Sequence, residues 1–434
     1  MWFKESVFYQ IYPLGFCGAP EVNDGVVKSR ILKVSNWVDH IKDLGCNAIY
    51  FSPIFESDHH GYDTRDYSTI DCRLGTNEDF TKVCKDLHDN DIKVVLDGVF
   101  NHVGRGFYQF QDVIKNRESS RYKDWFNINF NSNNGYNDGL SYEGWEGHYE
   151  LVKLNLKNQE VVNHLFGCIK KWVDEFDIDG LRLDVAYMLD RDFLKKLRAF
   201  CKGIKEDFVL IGETIHGDYN QIVNDEMLDS CTNYECYKGL YSSFNSMNMF
   251  EISYSLNRQF GSEQWCIYRG KNLMSFVDNH DVERIASILT EKRHLPLIYG
   301  MLFGMPGIPC IYYGSEWGAE GKKSDGDNCL RPEFKAPESN ELTKLISKLA
   351  MIHRKEKPLC YGSYKNTVVT NKQLVFEREY NGEKIYVLIN ADSSPYCAHI
   401  NINKGVDLIT GNDVKSSIIF YLIFVYVIYT LKYF

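Results

Sequence analysis

Short apolar runs alternate with amphipathic stretches along most of the chain. Residues 7–12, 48–54, 93–99, 180–186, 208–213, 230–237, 273–277 and 308–313 read as strands, each a compact run bounded by polar or turn residues. Between them, residues 31–44, 79–89, 159–175, 191–205 and 341–354 carry a helical stripe; Phe80, Val83, Cys84 and Leu87 form one such face, Val161, Val162, Leu165, Ile169 and Trp172 another. Strand–helix alternation means parallel strands joined by crossover helices, and eight such strands predict an α/β fold, a (β/α)8 TIM barrel. The periodicity fails in two places. Residues 104–149 are rich in Asn, Gly, Tyr and Trp and too long for an ordinary connection, so they read as a subdomain inserted after strand 3. Beyond residue 357 the pattern alternates apolar and polar about an Asn381-Gly382 turn, which predicts a small C-terminal antiparallel β domain. The expected organisation is therefore a barrel of residues 1–103 and 150–357, an insert of 104–149 and a β domain of 358–434.

Composition narrows the partners. The 434 residues are 44% hydrophobic and 25% charged, ordinary for a globular protein with a substantial core. A net charge of −10 with no long basic run argues against a nucleic-acid partner. Aromatics reach 14%, which suits core packing and sugar stacking alike. The opening Met1-Trp-Phe-Lys-Glu5 lacks the apolar stretch of a secretory signal. The 13 scattered cysteines form no zinc-type cluster, so reduced thiols and a cytoplasmic location are expected. Residues 418–429 form an apolar run that is short for a membrane anchor. It reads as a last β strand or as an abnormal tail, with a membrane helix as the third reading, and no membrane partner is expected.

Four strand ends carry residues foreign to a core. Strand 3 ends Asp97-Gly-Val-Phe-Asn101-His102, strand 4 carries Arg182 and Asp184, strand 5 ends Gly212-Glu213-Thr-Ile-His216, and strand 7 ends Val277-Asp278-Asn279-His280-Asp281. Each alone fits a structural role, a capping carboxylate or a satisfied histidine. In a barrel all four converge on one rim, where catalytic groups gather. Three carboxylates with basic partners and no metal cluster suit glycosidic bond cleavage, in which one carboxylate attacks and one carboxylic acid protonates the leaving oxygen. Arg182 is expected to lower the pKa of Asp184 and keep it ionised; Glu213 is the expected acid.

These segments resemble the signature regions of the α-amylase superfamily of retaining glycoside hydrolases (glycoside hydrolase family 13): GVFNH after an Asp-Gly pair, GLRLD, GET and FVDNHD, in the family's order and on the expected strands. Leu151-Val-Lys-Leu-Asn155 is similar to a fifth region of the neopullulanase, cyclomaltodextrinase and maltogenic branch. The resemblance implies a retaining α-glucan hydrolase cleaving α-1,4 bonds of maltooligosaccharides or cyclodextrins by double displacement. It implies Asp184 as nucleophile, Glu213 as general acid/base and Asp281 as third carboxylate. It implies that Arg182 fixes Asp184, that His102 and His280 hydrogen-bond the sugar, and that Tyr62, in His60-Gly-Tyr62-Asp63, stacks on it. Asp63 and Arg331 resemble the pair that closes the far side of that subsite, the match at Arg331 being looser; Asp97 and Asn101 read as structural.

Two departures stand out. Tyr187-Met188 replaces a Lys-His pair that many secreted relatives use for sugar and calcium. No cofactor is required on this reading, and Asn101 is the one identifiable calcium ligand, with no acidic partner in the insert. The branch usually carries an N-terminal β domain, whereas this sequence is expected to open directly on the first barrel strand. Transglycosylation, or a barrel that binds carbohydrate without catalysis, are the alternatives; the second fits poorly with three carboxylates in register.

Overall fold

In the computed structural model, which describes residues 1–398, 404–415 and 431–433, eight parallel strands form the predicted barrel. They are β1 (Phe8–Ile11), β2 (Ala48–Phe51), β3 (Lys93–Gly98), β4 (Gly180–Leu183), β5 (Val209–Gly212), β6 (Ser230–Cys231), β7 (Met274–Phe276) and β8 (Ile308–Tyr312). The sheet runs β6-β5-β4-β3-β2-β1-β8-β7. A single bridge, Thr232 to Met274, closes it.

Strand alternation sorts the core into two layers. Tyr9, Ile49, Phe51, Leu96, Leu181, Leu183 and Leu210 face the helices. Phe8, Ala48, Tyr50, Val95, Val209, Ile211, Phe276 and Cys310 fill the barrel. Arg182 lies opposite Asp97 in the register of β4 with β3 and is 3% exposed, an interior charge among apolar neighbours.

The helices form where the stripes placed them. Asn77–His88 opens with a capping box between Thr76 and Asp79 and buries Phe80, Val83, Cys84 and Leu87. Gln159–Phe176 starts at an Asn158 cap and stops at Asp177, whose φ is +53°. The sixth strand departs from the expectation of residues 230–237. It ends at Cys231 because Asn233 caps a helix, Tyr234–Asn245, accepting from the Cys236 amide at 3.1 Å.

After β3 the chain leaves the barrel. His102–Gly104, His148–Lys153 and Gly144–Trp145 make a three-stranded antiparallel sheet, with a helix at Tyr108–Asn116. Toward the C-terminus, Gln373–Tyr380 and Glu383–Asn390 pair across Asn381-Gly382, both at positive φ, as the turn residues demand. The antiparallel sheet runs Ser363–Val369, Gln373–Tyr380, Glu383–Asn390, Leu431–Tyr433, Lys404–Asp407, Asp413–Lys415. The apolar run of 418–429 lies outside the described residues. Among those described, no helix is long and apolar enough to cross a membrane.

At the strands' N-terminal end, Asp179 is 1% exposed and accepts from His88 (2.9 Å), Lys93 (2.9 Å), Lys205 (2.8 Å) and the Val94 amide (2.9 Å). Burial disfavours its charge, but these donors outweigh that cost and hold its pKa well below the carboxylate range. Asp179→Asn is expected to destabilise the protein by about 3 kcal/mol at neutral pH. A depressed pKa gives stability that is present above the unfolded value, near 4, and lost only as pH falls through the folded one. Denaturant titrations should therefore show the gap intact at mildly acidic pH and closing only in strong acid.

Candidate active site

The C-terminal ends of β3, β4, β5 and β7 bring the expected residues together. Leu183 pairs with Gly212, so Asp184 and Glu213 leave adjacent strands side by side. The Glu213 amide donates to the Leu183 carbonyl at 2.8 Å. Beyond Asp184 the strand stops, and Val185 takes a left-handed conformation at φ +40°. That is costly for a β-branched residue. It turns the Val185 N–H onto Glu213 Oε2 at 3.0 Å. Gly212 is required here, because a Cβ would lie 2.8 Å from the Ala186 side chain as the chain folds back.

Arg182 is the hub. Its Nη1 donates to Asp97 Oδ1 and Oδ2 at 3.0 and 2.9 Å and to Asp184 Oδ1 at 3.1 Å; its Nη2 meets Glu213 Oε1 at 2.7 Å. One cation thus serves three buried carboxylates; it lowers the pKa of Asp184 as expected, but too weakly to keep it at its ordinary value. Burial and the neighbouring Glu213 raise Asp184 well above its ordinary value despite Arg182. Burial likewise raises Glu213, and the charge of Asp281 adds to it. Both carboxyls are thus held above their ordinary values, and their titrations are linked through their mutual charge.

Asp281 is the opposite case. Burial opposes its charge, but His280 and Arg331 outweigh it and hold the pKa below the usual range. Arg331 Nη2 donates to Asp281 Oδ1 at 3.0 Å, and its Nε to the His280 carbonyl at 3.0 Å. The guanidinium lies 4.6 Å from the Tyr12 ring centroid. Gly15 admits this segment, since a Cβ there would sit 2.0 Å from the Arg331 carbonyl oxygen. Asp63 is held by His59 at 2.9 Å. Among the described residues no ion pair joins Asp63 to Arg331; His59 pairs with Asp63, and Arg331 with Asp281.

Burial pushes both site histidines down, each to about 3. Asn101 donates to His102 Nδ1 at 3.2 Å, which leaves the proton on Nε2. That Nε2 is buried without a partner and lies 3.9 Å from Asp184 Oδ2. Gln10 donates to His280 Nδ1 at 2.8 Å and fixes the same tautomer, with Nε2 against the Tyr62 hydroxyl and 3.1 Å from Asp281 Oδ2. Tyr62 lies parallel to His280, centroids 5.7 Å apart, and donates to Asp97 at 3.2 Å. Its ring is half-buried at the cleft.

Several contributors escaped sequence reasoning. Gln10, Tyr50 and Tyr234 are single polar groups within or just beyond apolar strands. Tyr50 donates to Asp97 at 2.9 Å, while the Tyr234 hydroxyl, 3.5 Å from Glu213 Oε1, accepts from Asn279 at 3.1 Å. Trp145 comes from the aperiodic insert; its ring is 5.8 Å from His102 and its Nε1 is buried without a partner. The insert thus brings a tryptophan beside the site histidine.

At Asn101 the side-chain amide nitrogen donates to His102 and the backbone carbonyl accepts from the Leu154 amide, and Tyr187 and Met188 offer no carboxylate. Among the described residues one group of three metal-type donors converges, Glu56, Asp71 and Cys72. There Asp71 is already engaged by the fully buried Arg73 at 2.7 Å.

Residues 10–392 match the family model of the α-amylase catalytic domain. The chain is 32% identical to a cyclomaltodextrinase of Thermoanaerobacter pseudethanolicus over 96% of its own length and 75% of the relative's. It is also 32% identical to a maltogenic α-amylase of Bacillus acidopullulyticus, covering 90% and 70%. A solved cyclomaltodextrinase superposes with a TM-score of 0.84 at 27% identity, covering 99% of this chain and 78% of that one. A cyclic α-maltosyl-(1→6)-maltose hydrolase of Arthrobacter globiformis, solved with cyclic α-maltosyl-(1→6)-maltose, gives 0.80 at 27%, covering 92% and 93%.

Proposed function

The chain belongs to the α-amylase family and is an α-glucan hydrolase, and from that premise we propose that it cleaves α-1,4 bonds of maltooligosaccharides or cyclodextrins by two displacements with net retention. One observation carries the mechanism: Asp184 and Glu213 leave paired positions of adjacent strands and share Arg182. Neighbouring strands lie about 4.8 Å apart. That spacing suits the ~5–5.5 Å carboxyl separation of retaining enzymes rather than the ~6.5–9.5 Å that leaves room for an inverting water.

Asp184 attacks the anomeric carbon while Glu213, in its protonated form, delivers its proton to the glycosidic oxygen. Glu213 then takes a proton from the water that releases the sugar from Asp184. The orphaned His102 Nε2 and the protonated His280 Nε2 donate to sugar hydroxyls, Asp281 accepts from them, and the Tyr62 ring underlies the pyranose. Arg182 orients both reacting carboxylates, Arg331 positions Asp281, and Asp63 borders the subsite with one buried unpaired oxygen, Oδ1. No step needs a metal. Buried thiols such as Cys84, Cys201 and Cys231 fit a reducing compartment, the basis for proposing a cytoplasmic location.

The test is a product profile on maltose, maltotriose, starch, pullulan and β-cyclodextrin, with the first-formed anomer read by proton NMR. Alpha-anomeric products from maltotriose and β-cyclodextrin are expected. Initial β-anomers overturn the double displacement. Products longer than maltotriose at high concentration move the reading to transglycosylation, and no turnover on any of the five removes catalysis.

A further inference from the structure

Behind the pair formed by Arg331 and Asp281 lies a second arginine. Arg284 follows Asp281 by three residues and is 0% exposed, at the place where the loop after β7 meets the segment that carries Arg331. Burying a guanidinium is costly unless its donors find acceptors. Its Nη1 donates to the Tyr313 carbonyl at 2.8 Å and to Ser315 Oγ at 3.0 Å, and its Nη2 to the Leu330 carbonyl at 3.1 Å. Its charge reaches a carboxylate through a hydroxyl: Ser315 Oγ, which accepts from Arg284, donates to Asp278 Oδ2 at 2.8 Å.

The Leu330 carbonyl is the point of leverage. It belongs to the peptide that enters Arg331, and it also accepts from the Tyr312 hydroxyl at 2.9 Å. Two donors from different elements therefore hold it. Arg331 sits just past a single helical turn, Asp327–Leu330, at φ −121° and ψ 43°, dihedrals of neither helix nor strand. On its other side the Pro332 carbonyl accepts from the Tyr313 hydroxyl at 2.8 Å. An arginine side chain is long and rotatable, so its contacts to Asp281 Oδ1 and the His280 carbonyl, both 3.0 Å, depend on where that backbone is pinned.

We propose that Arg284 and Tyr312 are positioning residues for the reaction: by holding the Leu330 carbonyl they aim the Arg331 guanidinium at Asp281, and they act on substrate only through that pair. The role rests on the α-glucan reading above, in which Asp281 accepts from sugar hydroxyls. His280, Arg331, Arg182 and Lys323 face the Asp281 carboxylate, and against burial they hold its pKa below the ordinary range. A guanidinium that drifts lets that pKa rise, which a loss of packing elsewhere does not do.

Arg284→Met and Tyr312→Phe are to be made in the parent and in Arg331→Ala. The readouts are kcat/KM on maltotriose and the Asp281 carboxyl titration, followed by 13C NMR with Asp281→Asn for assignment. In the parent, kcat/KM is expected to fall about 10²-fold with Arg284→Met and about fivefold with Tyr312→Phe. The Asp281 pKa is expected to rise in both. In the Arg331→Ala background neither substitution is expected to lower activity or move the titration further. Equal factors in the two backgrounds overturn the proposal, as does an Asp281 titration that stays in place. Should Arg284→Met not fold, Tyr312→Phe, which loses only a hydroxyl, decides alone. A parent that turns over no α-glucan defeats the functional reading, and the Asp281 titration still decides the positioning.

Discussion

Asp184→Ala is expected to lower kcat on p-nitrophenyl maltosides by a factor on the order of 10⁴ or more, because in the proposed double displacement Asp184 forms the covalent intermediate. The fold should survive. Burial and Glu213 already raise the pKa of Asp184, so its ionised form is strained in the native state. Removing it also leaves Arg182 engaged by Asp97 at 2.9 Å and Glu213 at 2.7 Å. The expected thermal midpoint is therefore equal to or above the parent's, which separates lost chemistry from lost structure. A small external nucleophile such as azide, entering the vacated position, should restore part of the turnover and give a product of inverted configuration. Parent-like turnover in the variant, without azide, would sink the assignment.

The barrel was legible because its strands are buried on both faces and read as short apolar runs, which is why the fold class could be read before any contact was known. The sixth strand was over-extended: the segment Ser230–Tyr237 alternates convincingly, and only the Asn233 cap, a local hydrogen-bond competition, ends it early. At the site, charge in an apolar run was the signal, and it found Arg182, Asp184, Glu213 and Asp281. What sequence could not give was sharing across strands. Arg182 stands two residues from Asp184 in the chain, yet its shorter contacts are to Asp97 and Glu213, 85 and 31 residues away by number. The Asp184 pKa is raised because burial, and then the charge of Glu213, outweigh Arg182. Gln10 and Trp145 were invisible for different causes: one is an uncharged residue in a strand, the other an aromatic in a segment without period.

Glu213→Gln tests the other half of the pair, and here leaving-group chemistry distinguishes acid catalysis from mere binding. Glutamine keeps the shape and can still accept from the Val185 amide, now 3.0 Å from Oε2, but it has no proton to deliver. Cleavage of maltotriose, whose leaving oxygen needs protonation, is expected to fall roughly 10³-fold or more. Formation of the glycosyl-enzyme from an activated fluoride needs no acid and should persist. The pH profile adds a second reading. In the parent, activity is lost at low pH as Asp184 gains a proton and at high pH as Glu213 loses one. In the variant acting on the fluoride, the alkaline limb should disappear from the first step. Stability moves with the same proton. Burial raises the Glu213 pKa above its unfolded value, so the parent loses stability as pH rises from about 4 through the folded pKa. The variant, uncharged throughout, should be more stable than the parent at neutral pH, with the difference vanishing below about pH 4. An unchanged alkaline limb, or a variant equally slow on fluoride and maltotriose, would mean that Glu213 holds the sugar without protonating it.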